Sequence, residues 1–120
     1  MSLRCLIVDD SSRFVDEARA LLEQEGIAVV GVAASGDEAV RLAEALDPEL
    51  ALVDISLADE SGFDVARRLV DGSSGEPPAV IFVSTHDERE FSARIAASPA
   101  LGFIAKTDLS AERIRLLLGS

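Results

Sequence analysis

The stretch LALVD at residues 50–54 is a continuous apolar run that ends in a carboxylate. Continuous rather than alternating hydrophobicity is typical of a strand that is buried on both faces of a parallel sheet. A second run of this kind, AVIFVS at residues 79–84, ends in a serine hydroxyl. The two runs predict central parallel strands that carry polar side chains at their carboxyl ends.

Three further strands are predicted at residues 3–8, 27–33 and 101–105, and helical segments alternate with the strands along the chain. This alternation is typical of an α/β domain in which helices cover both faces of a parallel sheet. Right-handed crossovers then give a doubly wound, five-stranded (βα)5 domain. Strand order 2-1-3-4-5 is a common arrangement of such a domain, and we predict it here.

Capping residues set the predicted ends of the helices. Ser35 followed by Glu38 is a capping box that opens the second helix, and Asp47-Pro48 closes it. Ser61 opens the third helix, which ends in the loop at residues 72–78. The other predicted boundaries are Gly26 after the first helix, Asp87 and Ala97 for the fourth, and Ser110 and Leu118 for the fifth.

The composition restricts the class of protein. At 120 residues the chain is long enough for one domain, residues 1–120, with its own core. A net charge of −11 argues against direct nucleic-acid binding by this domain, because phosphate contacts need clustered Lys and Arg. There is neither a signal-peptide pattern nor an apolar stretch of the roughly 18 residues that a membrane span needs, so we expect a cytoplasmic protein. The single cysteine, Cys5, is interpreted as a core residue rather than a redox group.

Polar side chains end four of the predicted strands. Because the carboxyl ends of parallel strands lie at one edge of a sheet, these side chains could converge into a single site. The set comprises three carboxylates, a hydroxyl and an amine: Asp9, Asp10, Asp54, Ser84 and Lys106.

The first and third strands are neighbours in the predicted order, so Asp10 and Asp54 would face each other. Their mutual repulsion is naturally offset by a divalent cation. Magnesium accepts a few oxygen ligands, which two carboxylates and a backbone carbonyl near Ser56 could supply. A structural alternative remains open, in which Asp9 and Asp10 only cap the first helix.

Lys106 could likewise do no more than pair with Asp54, yet its three donors also suit phosphoryl oxygens, as does the hydroxyl of Ser84. With a cation and an ammonium ion nearby, Asp54 could attack phosphorus and form an acyl phosphate. The only histidine, His86, has no Cys or His partner for zinc and no evident nucleophile to activate. It is interpreted as a surface loop residue.

Taken together, these residues resemble the receiver domain of two-component response regulators. The resemblance covers essentially the whole chain and rests on VDD at 8–10, Asp54 with Ser61-Gly62, VS at 83–84 and GFIAK at 102–106. It implies a flavodoxin-like fold and a phosphorylation-dependent switch rather than a turnover enzyme. It also implies that Asp54 accepts a phosphoryl group from a histidine of a sensor kinase or a phosphotransfer protein.

The resemblance assigns roles to the other site residues. Asp10 would bind Mg²⁺ with Asp9 in support, while Ser84 and Lys106 would contact the phosphoryl oxygens. Phe103 holds the position of an aromatic switch that turns inward as Ser84 moves, although a core aromatic without that role is the alternative.

The switch would change the face of the fourth helix, fifth strand and fifth helix, which would then meet an output domain, a partner or a second copy. Leu116, Leu117 and Leu118 are consecutive, so they cannot all point into the core. At least one of them is a candidate for that interface, although fraying at the end of a small domain would explain the pattern as well.

Three positions depart from the family pattern. Ala58 stands where many receivers have proline, and Thr85 follows Ser84 where a smaller residue is usual, which leaves open which hydroxyl faces the phosphate. Thr107 replaces a frequent proline after Lys106, so a cis peptide is not expected there. The side chains that flank the pocket and could tune loss of the phosphoryl group are Ser56, Thr85 and His86.

Two other functions compete with the switch. A magnesium-dependent phosphohydrolase of the haloacid dehalogenase type would need an acidic residue two positions after its nucleophile, but Ser56 follows Asp54 and Ser11 follows Asp9 at that spacing. A flavodoxin-like FMN binder is disfavoured because the chain has no Trp or Tyr to flank a flavin.

Overall fold

The computed structural model describes residues 2–119, and its centre is one five-stranded parallel sheet. The strands are β1 Leu3–Val8, β2 Ile27–Ala33, β3 Leu50–Asp54, β4 Ala79–Ser84 and β5 Gly102–Ala105. Their order is β2-β1-β3-β4-β5, as predicted. Four of the strands have the predicted bounds, and β5 begins one residue later than expected.

Within residues 2–119, five α-helices connect and flank the strands: α1 Ser12–Gln24, α2 Gly36–Leu46, α3 Gly62–Asp71, α4 Ser92–Ala96 and α5 Ala111–Leu118. The predicted serine caps are confirmed, because the side chains of Ser35, Ser61 and Ser110 each accept a backbone N–H in the first turn of the following helix. The α2 helix ends at Leu46, and the left-handed backbone of the capping residue Asp47 (φ 49°) turns the chain before Pro48.

Helices cover both faces of the sheet, so there are two cores. One lies under α1 and α5 and includes Ile7, Leu52 and Ile114. The other lies under α2 and α3 and includes Val53, Phe63 and Phe82. All five residues of β3 are buried, which confirms that its continuous apolar pattern marks a strand covered on both sides.

The predicted fourth helix, from Asp87 through Ala97, is wrong as a single element. Asp87 caps only a 3₁₀ turn at Glu88–Glu90, and the α-helix proper is the five-residue segment Ser92–Ala96. Neither piece has a fully buried residue, and only Phe91 and Ile95 of this region pack against the core. Too few apolar positions face the sheet to stabilise a longer helix.

Cys5 has no exposed surface, and burial raises the pKa of its thiol to about 12. This confirms its interpretation as a core residue. Of the helices in residues 2–119, none combines the length and apolar composition that a membrane crossing requires.

Candidate functional site

Three carboxylates meet at the carboxyl edge of the sheet. Asp9 and Asp10 follow β1, and Asp54 is the last residue of the adjacent strand β3. One oxygen from each carboxylate lies within 4.8 Å of the others. Asp9 and Asp54 are buried, at 2% and 6% exposure, whereas Asp10 is exposed. The neighbouring strands therefore bring the three predicted acids together, with one side open to solvent.

Lys106, directly after β5, reaches across to this cluster. Its Nζ lies 2.8 Å from Oδ2 of Asp9 and 3.4 Å from Oδ2 of Asp54, and its side chain is only 12% exposed. The ammonium also lies 4.4 Å from the centre of the Phe14 ring in α1, a cation–π contact. The structural pairing considered for Lys106 is thus present, and it includes Asp9 as well as Asp54.

The donor set fits a divalent cation. Oδ2 of Asp9 is buried and receives no hydrogen bond of ordinary geometry, although the ammonium is close enough to offset its charge. The cluster has three carboxylates, and the Lys106 ammonium pairs with two of them, Asp9 and Asp54. The cluster therefore retains negative charge when the acids are ionised. Clustered carboxylate oxygens with an exposed side for water are the environment that Mg²⁺ prefers.

The surroundings of Asp54 oppose its negative charge. Burial is the main reason that its pKa lies above the ordinary value of 3.8, and the nearby Asp9 raises it further. The backbone N–H of Ser56, 3.1 Å from Oδ1, and the Lys106 ammonium act in the opposite direction. The charged form of Asp54 would therefore be stabilised by a further positive group.

Asp10 does not cap α1. The cap is Ser11, whose hydroxyl accepts the N–H of Phe14, and Asp9 in turn accepts the N–H of Ser11 at 2.9 Å. Oδ2 of Asp10 instead accepts the backbone N–H of Ala58 at 2.9 Å. A proline at position 58 would lack this donor, so the departure from the family pattern creates a contact between the loop after Asp54 and the acid cluster.

The loop after Asp54 is held tightly to the sheet. The N–H of Gly62 donates to the carbonyl of Ile55 at 2.8 Å, and a Cβ on Gly62 would overlap the carbonyl oxygen of Asp54. Glu60 extends to α2 and accepts the N–H of Gly36 at 2.8 Å. The loop therefore returns to Asp54 at Gly62 and is also anchored to the start of α2.

The two candidate hydroxyls after β4 lie in different surroundings. Ser84 is 1% exposed, and its Oγ accepts the N–H of His86 at 3.0 Å. Thr85 is exposed and lines a cleft of about 470 Å³ together with Phe103 and Arg113. Phe103 itself is half-buried and packs against the core under α2 and α3.

His86 lies in the exposed loop after β4, as predicted, but its ring is not isolated. Nδ1 is 3.3 Å from Oγ of Ser84, and the ring meets Phe91 edge-on. In residues 2–119 every peptide bond is trans, including the bond from Lys106 to Thr107.

Comparison with known proteins identifies the class to which this site belongs. Residues 5–117 match the family model of the response regulator receiver domain, so the chain belongs to that family. The match covers both the acid cluster and Lys106. The resemblance inferred from the sequence motifs and the predicted fold is thereby confirmed.

Individual relatives agree with the family match. The chain is 36% identical over 106 residues to the positive alginate biosynthesis regulatory protein of Pseudomonas aeruginosa, covering 87% of this chain and 41% of that protein. It is 29% identical over 116 residues to the response regulator GacA of Pseudomonas viridiflava, covering 96% of this chain and 53% of that one. The chain thus spans about half the length of these curated relatives.

A solved structure supports the fold directly. The signal receiver domain of a modulated diguanylate cyclase from Desulfovibrio desulfuricans G20 superposes with a TM-score of 0.81 at 32% identity. The alignment covers 99% of this chain and 92% of that one. Receiver domains are signalling modules and are generally not turnover enzymes.

Sequence reasoning missed several contacts of the site. It did not predict the cation–π contact of Lys106 with Phe14. It also did not predict two hydrogen bonds, from the N–H of Ala58 to Asp10 and from the N–H of Gly36 to Glu60. Ala58 had a signal, because a non-proline residue at that position has a free N–H. Phe14 and Glu60 had none, since a phenylalanine in an amphipathic helix and a glutamate in a loop are ordinary in such places.

Proposed function

We propose that residues 1–120 form one receiver domain that works as a phosphorylation-dependent switch, with Asp54 as the phosphoacceptor. The observation that carries the proposal is the position of Asp54, buried between the Lys106 ammonium at 3.4 Å and the carboxylates of Asp9 and Asp10. The donor would be a phosphohistidine of a sensor kinase or a phosphotransfer protein, as membership of the family suggests.

In the proposed reaction a carboxylate oxygen of Asp54 attacks phosphorus while the phosphorus–nitrogen bond of the donor breaks. The imidazole leaves with the electron pair of that bond and takes up a proton. Lys106 orients the phosphoryl oxygens and offsets their charge. When bound, Mg²⁺ would neutralise charge on the phosphoryl oxygens; Asp10, Asp54 and the carbonyl of Ser56 would hold it, with Asp9 in support.

The proposed readout is a change at the end of β4. Ser84 would contact the phosphoryl group, for which its buried position at the strand end is better suited than the exposed Thr85. Phe103 would then turn inward and alter the face of α4, β5 and α5. Ser56, Thr85 and His86 flank the pocket and would tune the slow loss of the phosphoryl group to water.

The altered face would meet an output domain, another protein or a second copy of this chain. Two large apolar side chains are exposed here: Leu101, which directly precedes β5, is 50% exposed, and Leu116 of α5 is 69% exposed. Such side chains favour a protein partner. The reaction would take place in the cytoplasm, where phosphorylated kinases and Mg²⁺ occur together.

The experiment that tests the acceptor is intact mass after treatment with Mg²⁺ and acetyl phosphate. We expect one phosphoryl adduct on the native protein and none on Asp54→Asn. The matched control is Asp59→Asn, an exposed aspartate in the same loop, which should be modified like the native protein. No adduct on the native chain, or an equal adduct on Asp54→Asn, would overturn the assignment.

A further inference from the structure

The loop after β4 holds the hydroxyl of Ser84 at two points. Oγ accepts the backbone N–H of His86 at 3.0 Å and lies 3.3 Å from Nδ1 of the same residue. A serine hydroxyl has two acceptor lone pairs but only one proton. Because the backbone N–H already donates to Oγ, the hydroxyl proton is free to be donated to Nδ1 of a neutral His86 ring.

That single proton is what a phosphoryl oxygen on Asp54 would also need from Ser84. We propose that His86 is a positioning residue that keeps the Ser84 hydroxyl proton in the loop after β4 until Asp54 carries a phosphoryl group. The inference rests on the proposed function, because it assumes that Ser84 serves the phosphorylated acceptor. His86 is exposed, so its ring can move away from Ser84 without leaving a buried cavity.

The ring of His86 also connects this proton to the fourth helix. It meets Phe91 edge-on, with ring centres 6.0 Å apart and planes at 89°. The ring centres of Phe91 and Phe63 are 6.2 Å apart, and those of Phe63 and Phe82 in β4 are 4.8 Å apart. When His86 separates from Ser84, its ring can move relative to Phe91, the residue before α4. Phosphorylation would then affect α4 through His86 as well as through Phe103.

The first test uses the fact that the chain has one histidine, so its imidazole nitrogen signals are unambiguous in a protein without a histidine tag. Nitrogen-15 spectra at about pH 8, where an ordinary imidazole is neutral, should show Nδ1 unprotonated and hydrogen-bonded. Adding Mg²⁺ and beryllofluoride should move the Nδ1 signal toward the value of a free ring nitrogen. Ser84→Ala should move it in the same direction without any ligand.

The second test compares affinities for beryllofluoride in the presence of Mg²⁺. His86→Phe keeps an aromatic ring beside Phe91 but removes the nitrogen acceptor, so we expect binding about two- to tenfold tighter than in the native protein. The matched control is Glu88→Gln, an exposed change in the 3₁₀ turn two residues further on, which should bind like the native protein.

The outcomes separate the two levels of the proposal. A native protein that binds no beryllofluoride overturns the proposed function and this inference with it. If the native protein binds but His86→Phe binds equally or more weakly, or if Ser84→Ala leaves the Nδ1 signal unmoved, the role of His86 is overturned and the acceptor assignment stands.

Discussion

At the scale of single residues, the site is built around a carboxylate that the folded protein does not favour in its charged form. Asp54 is buried, and one neighbour, Asp9, is also acidic. The Lys106 ammonium is shared between these two acids. Such a site is destabilising until a further positive charge joins it, which is how strain stored at a functional site behaves.

Replacing Asp54 by Asn should stabilise the metal-free protein. The folded-state pKa of Asp54 is raised above 3.8, so the folded chain binds this proton more tightly than the unfolded chain does. Its contribution to stability is greatest below the ordinary pKa and is lost as the pH rises through the raised value. We expect Asp54→Asn to increase the free energy of unfolding by about 1 kcal/mol at pH 7, and by less at about pH 4.

Urea unfolding followed by circular dichroism, with a chelator present, measures this difference, since the chain has no Trp or Tyr for fluorescence. The exposed control Asp59→Asn should change the free energy of unfolding by less than about 0.5 kcal/mol at both pH values. A gain for Asp54→Asn that is larger at pH 4 than at pH 7 would contradict the argument.

Removing Lys106 should have the opposite effect. Lys106→Met leaves the buried carboxylates of Asp9 and Asp54 without their ammonium, and we expect a loss of about 3 kcal/mol at pH 7 without metal. Mg²⁺ should restore part of the loss. The control is Arg13→Met, which breaks the ion pair of Arg13 with Glu17, whose side chains are 91% and 68% exposed. It should lower the free energy of unfolding by less than about 0.5 kcal/mol in the same urea titration. Equal losses in the two variants would count against a buried charge cluster.

At the scale of elements, the start of α3 fixes the acceptor loop. Gly62→Ala would place a methyl group against the carbonyl oxygen of Asp54, so we expect a loss of at least about 2 kcal/mol and slower phosphorylation by acetyl phosphate. Gly75→Ala in the loop before β4 meets no atom within 4 Å and should change stability by less than about 1 kcal/mol. Thermal unfolding and intact mass measure the two effects, and a fully stable, normally phosphorylated Gly62→Ala protein would refute the packing argument.

The fourth helix should be the least protected of the five in hydrogen exchange. The segment from Glu88 to Ala96 has no buried residue, whereas α3 has five. Local opening of such a segment exposes little apolar surface and is therefore easy. Mass spectrometry should show its amides exchanging at the earliest times, while those of α3 remain protected. Binding of Mg²⁺ and beryllofluoride should slow this exchange if the segment receives the signal, and α4 protection equal to that of α3 in the free protein would contradict the prediction.

At the scale of the whole molecule, the acid cluster lies at the carboxyl edge of the sheet. The proposed output face is a different surface, formed by α4, β5 and α5. We expect Mg²⁺ and beryllofluoride to convert the protein from monomer to dimer in sedimentation velocity. Leu116→Glu should remain monomeric under the same conditions. Because Leu116 is 69% exposed, this variant should keep its monomer stability within about 0.5 kcal/mol. A native protein that stays monomeric with ligand bound would leave an output domain or another protein as the partner.

Strand order 2-1-3-4-5 was predicted only as the common arrangement of such domains, and the convergence of the acids followed from it. The sequence by itself determined the five strands, the serine caps and the polar residues at the carboxyl ends of the strands. These depend on local signals, since continuous apolar runs mark buried strands, serines mark helix starts, and parallel strands place their carboxyl ends at one edge. LALVD at residues 50–54 therefore located both a central strand and Asp54 before any contact was known. The same signals misjudged the fourth helix, because capping by Asp87 predicts a helix start but not whether the helix has enough apolar surface to continue.

Only the tertiary structure decided which groups pair within the site. Lys106 pairs with Asp9 more closely than with Asp54, Asp10 accepts the N–H of Ala58, and the hydroxyl of Ser84 lies beside His86. Hydrogen bonds and ion pairs need particular distances and directions, which arise from how strands, loops and rotamers meet in space. Residue type and spacing along the chain do not contain that information. They allowed a pairing of Lys106 with Asp54, but they did not predict its closer contact with Asp9 or the contacts that Asp10 and Ser84 make.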